Sequence, residues 1–307
     1  MVVLFVRSGN RWQESLTTAQ ADSLKEIGVQ ICIYDIKGRG ILGYFSNVKK
    51  IRKSIRENRP DVIHAHYSFS AFITSFAGAK PIVVSLMGSD VEAKRFYPFL
   101  IRCFAFLFSW EVLLVKSEKL KQIIKIDRIM VIPNGVNMHR FIPIDQSKCR
   151  VLLGWDETKR HILFASNPER TEKNYKLAEL AISLLNKKEV QVHLLQGLPQ
   201  DIVPVWYNAA DVVLLTSLRE GSPNVIKEAM ACNRPIVATN VGDIEFIFGS
   251  TAGCFLTTFD PQDVADNLEK ALSFSKQTNG KERISALGLD EKTIAGKILE
   301  IYESVSK

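Results

Sequence analysis

The sequence predicts an α/β protein built from two doubly wound domains. Three observations carry that expectation. The chain has 307 residues, about twice a common domain length. Short runs of Val, Ile and Leu alternate with longer helical patterns, and the alternation starts afresh near the middle. Strands that are apolar along their whole length belong to parallel sheets covered on both faces, and parallel neighbours need crossover helices.

In the front half the strand runs are VVLFV at 2–6, ICIYDI at 31–36, VIHAH at 62–66, PIVVSL at 81–86, EVLLV at 111–115 and RIMVIPN at 128–134. Helical patterns at 16–27, 48–57 and 116–124 separate them. The back half brings HILFAS at 161–166, VQVHLL at 190–195, VVLLTS at 212–217 and PIVATN at 235–240, with helices at 176–185, 224–231 and 261–274. The pattern is Rossmann-like twice over, with the join near PNGVNMHRFIP at 133–143. Ligands of such sheets bind beyond the carboxyl ends of the strands, so two of them facing one another imply an interdomain cleft. We place the domains at 1–140, 141–290 and a closing helix at 291–307.

Lys and Arg number 40 against 33 Asp and Glu, a net charge of +7. The excess sits in front: residues 1–140 carry 21 bases and 11 acids, net +10, while the rest carry 19 and 22, net −3. A basic half fits nucleic acid, anionic lipid or an anionic substrate. No nucleic-acid motif accompanies the charge, which argues against the first. Cys32, Cys103, Cys149, Cys232 and Cys254 form no CxxC pair, so neither a zinc site nor a disulfide framework is expected. MVVLFV lacks a basic leader and reads as a first strand, so the expected compartment is the cytoplasm. The apolar stretch at 96–115 is broken by Arg102 and Glu111, which rules against a spanning helix of about 20 apolar residues.

The stretch LREGSPNVIKEAMACNRPIVATNVGD at 218–243 carries the chemistry. Its first residues follow the run VVLLTS and therefore lie at a strand's carboxyl end. Ser222 is the expected N-cap and Pro223 the expected first helical residue. A helix starting there aims free N–H groups and a positive dipole end at an anion. Glu220 precedes that anion site and Glu228 follows it, each able to accept hydrogen bonds from hydroxyl groups. A phosphate flanked by polyhydroxylated groups describes a nucleotide sugar. The simpler reading of the same spacing is one acid near a helix start and one solvated on the helix.

The segment from 195 to about 271 resembles the donor-binding half of the retaining glycosyltransferase family 4 (glycosyl transferases group 1), of the GT-B fold. The signature is a glutamate, seven residues and a second glutamate within EG-P-V--EAMAC--P-VAT--G. PDVIHAHYSFSAF, VVSLMGSDV and VIPNGVNMHRF are similar to the acceptor half and linker of that family. The resemblance implies that Glu220 lies near the reacting carbon of the donor sugar and that Glu228 binds ribose. It implies that Gly221, Ser222, Pro223, Asn224 and Val225 hold the diphosphate and that Lys173 neutralises it. A cation there also suits a leaving group that gains charge as the glycosidic bond breaks. No cofactor or metal is expected beyond the nucleoside-diphosphate sugar itself, whose base the sequence does not name.

The chain departs from the family pattern in three places. Asn167 stands near the usual position of an arginine, and Arg170 is the nearest guanidinium. Met87 replaces a common histidine in LMGSD, and only Gly9 remains of a glycine pair in the first loop. The acceptor-side candidates are Gly9, His66, Met87, Gly88 and Asp90. His64 and His66 alternate with Ile63 and Ala65 and so share a face, and nothing beside them has metal-ligand spacing. For His66 the alternative is a buried, hydrogen-bonded histidine, and for Asp90 a turn aspartate. NVKKIRKSIREN and AKRFYPFLIRCFAFLFSW are basic and basic-aromatic stretches suited to an anionic membrane surface.

The expectation is therefore a retaining, hexosyltransferase-type enzyme. Its partners would be a nucleotide sugar and a sugar or lipid-linked saccharide acceptor. It would be cytoplasmic or peripheral on the inner membrane face, in cell-envelope or capsular polysaccharide assembly. The rivals are a non-catalytic nucleotide- or sugar-binding protein and a nucleotide-sugar epimerase of the same general fold.

Overall fold

The computed structural model describes residues 1–9, 11–38, 40–92, 94–185 and 189–306. The chain divides into one unit of Met1–Gly135 with Glu291–Lys307 and another of Val136–Asp290. The sequence-based divide at 140/141 lies five residues further along.

The first unit holds β1 (Val2–Ser8), β2 (Gln30–Ile36), β3 (Val62–His66), β4 (Ile82–Ser85), β5 (Val112–Val115) and β6 (Ile129–Val131). They form one sheet in the order β2-β1-β3-β4-β5-β6, with every neighbouring pair parallel. Alternation sends Leu4, Val6, Ile63, Ala65, Ile82 and Val84 into one core and Val3, Phe5, Val62, Val83 and Leu114 into the other. Each fully buried side chain of this size contributes about 1.5–3 kcal/mol. The closing helix Glu291–Val305 packs in the second of these cores through Ile294, Ile298, Ile301 and Tyr302.

The second unit holds β7 (Arg160–Phe164), β8 (Val190–Leu194), β9 (Val212–Leu215), β10 (Ile236–Thr239) and β11 (Cys254–Thr257). Their order is β11-β10-β9-β7-β8, again all parallel. Both sheets thus reverse their winding once, between β1 and β3 and between β7 and β9. Such switch points are where doubly wound sheets receive ligands.

Differences from the sequence reading have local causes. β11 was not foreseen, because CFLT is short and three of its four residues are only half-buried. The helix expected from 116 begins at Glu118, since Ser117 is extended and its hydroxyl caps the Leu120 N–H. The apolar stretch at 96–115 resolves into the helix Tyr97–Leu107 and β5. No helix of the described residues is long and apolar enough to cross a membrane.

Candidate functional site: a lysine-glutamate pair beside a helix start

The loops that follow β7 and β9 flank the switch point of the second unit. The first ends in a 3-10 turn, Thr171–Lys173, and the second carries Glu220. Lys173 is 7% exposed, and its Nζ lies 2.6 Å from Glu220 Oε1. The Ser217 hydroxyl donates to the same oxygen at 2.7 Å. Three further contacts lash the loops together. Thr216 Oγ1 donates to the Lys173 and Asn174 carbonyls at 3.1 and 3.0 Å, and the Leu218 N–H donates to the Glu172 carbonyl at 2.9 Å. An ion pair held this way is positioned by backbone rather than by two mobile side chains.

The helix Asn224–Ala231 begins just beyond. Pro223, with φ −71° and ψ 122°, occupies the cap position and no side chain caps the helix. This corrects the expected register by one residue: Pro223 precedes the first helical residue, and Ser222 is not the N-cap. The reason is a competing contact, since the Ser222 hydroxyl accepts from Lys227 Nζ at 3.3 Å and bonds Asp243. The first-turn N–H groups therefore lack a side-chain acceptor, which keeps the helix start open to an anion. Gly221, Ser222, Asn224 and Val225 are half-buried around it, and the buried Oδ1 of Asn224 has no partner among the described residues. Gly242 packs on this turn from below. It has φ +66°, and a Cβ there would stand 2.6 Å from the Gly221 carbonyl oxygen and 2.8 Å from that of Glu220.

Glu228 is not the solvated helix acid of the simpler reading. It is half-buried, and the buried Tyr207 hydroxyl donates to its Oε2 at 2.9 Å. Burial raises the Glu228 pKa while the Tyr207 bond and the Lys227 charge pull it down. Lys227 is fully buried, and desolvation lowers its pKa to about 8 despite the nearby charges of Asp243 and Glu228. Burial likewise raises Asp243. Arg170 does not join Lys173: its Nε and Nη2 both reach Glu172 Oε1, at 2.8 and 2.6 Å.

The acceptor-side candidates lie in the first unit. Gly9 is exposed past the end of β1, its N–H donating to the Ile36 carbonyl at 3.3 Å. Asp90 is buried and takes the N–H groups of Ser68, Met87 and Gly88 at 2.8, 2.9 and 3.0 Å, so both its oxygens brace the turn. Burial raises its pKa to about 6 against those bonds. Gly88 has φ +98° with no close backbone neighbour, so conformation rather than crowding calls for glycine. His64 and His66 share a face, their rings stacked at 4.1 Å. His64 is the hydrogen-bonded member, reaching Tyr302 Oη at 2.5 Å and Ser85 Oγ at 2.8 Å. His66 is 2% exposed, and neither ring nitrogen has a partner among the described residues. Among those residues no group of three or more His, Cys, Asp or Glu is placed to hold a metal ion.

Residues 15–140 match the family described as Glycosyltransferase Family 4, and residues 156–273 match Glycosyl transferases group 1. The chain belongs to glycosyltransferase family 4. Its relatives include TuaC of Bacillus subtilis, a candidate glycosyltransferase of teichuronic acid biosynthesis, 28% identical over 70% of this chain and 62% of that one. The D-inositol 3-phosphate glycosyltransferase of Paenarthrobacter aurescens is 32% identical over 47% of this chain and 43% of its own. The chain thus spans less than two thirds of the length of either relative. Among solved structures, Anabaena Alr3699/HepE in complex with UDP-glucose superposes with a TM-score of 0.80 at 18% identity over 99% of each chain. A glycosyltransferase of Rickettsia africae gives 0.79 at 17%, over 100% of this chain and 98% of that one. At such identities the likeness is one of fold, and the fold of this family 4 chain is GT-B.

Sequence reasoning missed Tyr207, Ser217, Lys227 and Asp243. Gly242 and Asp243 were visible as the end of the quoted motif, and Lys227 as a lysine inside it. Tyr207, 21 residues before its partner Glu228, left no local signal.

Proposed function

We propose that this family 4 chain transfers a sugar from a nucleoside-diphosphate sugar to a hydroxyl acceptor with retention of configuration. The observation that carries the reading is the Lys173–Glu220 pair beside the uncapped helix start at Asn224. A diphosphate laid across that start meets free N–H groups and exchanges Glu220 for phosphate oxygens at the Lys173 ammonium. Charge that develops on the leaving diphosphate is then met by groups already in place. Glu220, released from Lys173, lies within the same turn to accept from sugar hydroxyls, and Glu228 is seated to accept from ribose. In a front-face departure the leaving phosphate takes the acceptor proton, so no separate base and no metal is invoked. The HepE structures hold UDP and UDP-glucose, and a hexose on UDP is the first donor to try.

Acceptor binding falls to the first unit, at His66 and the Met87–Asp90 turn, and the pathway is cell-envelope polysaccharide assembly, in keeping with the name of TuaC. A peripheral seat on an anionic membrane is supported by the outward face of the Tyr97–Leu107 helix. Phe99, Phe106 and Leu107 are 60, 84 and 70% exposed around exposed Arg102. In the same unit the Val48–Asn58 helix exposes Lys49, Lys50, Arg52, Lys53 and Arg56. Apolar side chains with cations at their edge match a headgroup layer.

The test is turnover with a panel of nucleotide sugars. Lys173→Ala and Glu220→Gln are each expected to lower kcat about a hundredfold or more, the usual cost of one preorganised charge. If both stay within about threefold of the parent, roughly 0.6 kcal/mol of barrier, the assignment falls. Product formed without any acceptor would favour an epimerase, and nucleotide binding without turnover a binding protein.

A further inference from the structure

Lys227 is a fully buried lysine that the transfer step does not use. It lies one turn into the helix Asn224–Ala231, near the positive dipole end, where a cation is disfavoured. Taking an ammonium out of water is costly unless its bonds are met. Burial brings its pKa down only to about 8, so it is still charged at neutral pH. The charges acting on it are those of Asp243 and Glu228, so it is balanced within the unit and no bound anion is needed to account for it.

Its placement shows what it holds. Helical side chains lean back over the preceding turn, which carries Nζ to the helix start, where it donates to Ser222 Oγ at 3.3 Å. Ser222 also bonds Asp243. An ammonium only donates and a carboxylate only accepts, so the hydroxyl is gripped from both sides: it accepts from Lys227 and gives its proton to Asp243. Gly242, which has no Cβ to strike the Gly221 and Glu220 carbonyl oxygens, lets the loop after β10 lie against this turn and bring Asp243 to it.

Left to itself, Ser222 would close the helix. Pro223 has no N–H, so Asn224 and Val225 carry the first N–H groups of the turn. They lie two and three residues past Ser222, the reach at which a serine hydroxyl accepts from its own chain. That contact is not made, for no side chain caps the helix.

We infer that Lys227 and Asp243 are positioning residues for the donor: by gripping the Ser222 hydroxyl they keep it off the Asn224 and Val225 N–H groups, which stay open to the diphosphate. The diphosphate rests on the sugar-transfer reading; the hold on Ser222 does not.

A double-mutant cycle tests it, read by calorimetric titration of the full chain with UDP, GDP and ADP. Lys227→Met is expected to weaken the preferred nucleotide about tenfold or more in the parent background. With Ser222→Ala already present it should cost less than about threefold, because the hydroxyl that would cap the helix is gone. A lysine that merely filled the core, or that acted on the ligand by its charge, would cost the same in both backgrounds, and that result overturns the inference. So does parental affinity in Lys227→Met. Amide hydrogen exchange of the free protein reads the hold without a ligand. The Asn224 and Val225 N–H groups should exchange about fivefold more slowly in Lys227→Met than in the parent, through the new cap, and at the parental rate once Ser222→Ala is added. Equal exchange in parent and Lys227→Met overturns the hold. Should Lys227→Met fail to fold, Asp243→Asn takes its place in both measurements. Exchange as expected with no nucleotide bound would sink the donor site and leave the hold on Ser222 standing.

Discussion

Around their switch points the two units run the same way: β2-β1-β3-β4 in the first, β8-β7-β9-β10 in the second. In the second, the loops after β7 and β9 bring a lysine and a glutamate to 2.6 Å beside an uncapped helix. In the first, the ends of β1 and β3 bring an arginine and a neutral histidine together. The same winding thus places different side chains at equivalent rims, and in such sheets the switch point is where ligands bind. One rim pairs opposite charges, Lys173 with Glu220, and the other sets a buried neutral histidine beside an arginine that is itself paired with Asp35.

The largest effect that separates the units concerns stability. Deleting Ala295–Lys307 removes Ile298, Ile301 and Tyr302 from the first unit and nothing from the second. At about 1.5–3 kcal/mol per buried side chain, the loss is several kcal/mol, or a melting shift of about 10 °C or more. Unchanged melting by circular dichroism would mean that the closing helix is dispensable to that core.

Acid sharpens the same contrast. Each unit has a histidine pair: His64 stacked on His66, and His161 bonded to His193 at 2.9 Å beneath Trp155. Burial lowers His64 to about 3 and His193 to about 4. Both folded values lie below the unfolded value of about 6.5, so the unfolded chain takes protons first. Stability is intact above about pH 6.5 and falls as pH drops toward 4 and then 3, by on the order of a few kcal/mol for His64. The share of His193 is smaller because it is only half-buried. Asp90, raised to about 6, opposes the loss, since its extra stability appears as pH falls below that value. Histidine NMR resolves the terms: His193 is expected to titrate near pH 4 and His64 to stay neutral there. Titration of either near 6.5 would mean that its ring is solvated.

The smallest effect on stability lies on the surface. Phe106→Ser with Leu107→Ser removes exposed side chains, so melting should move by less than about 0.5 kcal/mol equivalent. Sedimentation with anionic vesicles should drop at least fivefold, and with neutral vesicles both proteins should stay in solution. Equal sedimentation of parent and variant with anionic vesicles would remove this face from any membrane contact.

Much of this fold was legible because fully apolar strands and crossover helices leave a periodic trace. β3 falls at the residues where the sequence put it, and the helix at 224–231 does so but for its start, one residue after the expected Pro223. The motif from Glu220 to Glu228 was legible for the same reason: its parts are contiguous and follow one strand. What failed to show was tertiary. Arg170 was nominated by nearness in sequence, but a carboxylate two residues on takes both ends of its guanidinium. Ser222 looked like a cap until Lys227 and Asp243 claimed its hydroxyl. Arg7 and His66 lie far apart in the chain, and only the register of β1 on β3 brings them together.

The donor site is tested most directly by the melting temperature of the parent and of Glu228→Ala with UDP, GDP, ADP and CMP. A ligand at a hundred times its Kd adds about 2.7 kcal/mol. One nucleoside diphosphate should stabilise the parent by that order and lose its effect in the variant. If none of the four stabilises the parent, or if Glu228→Ala responds as the parent does, the second unit does not hold a nucleotide at Glu220–Glu228.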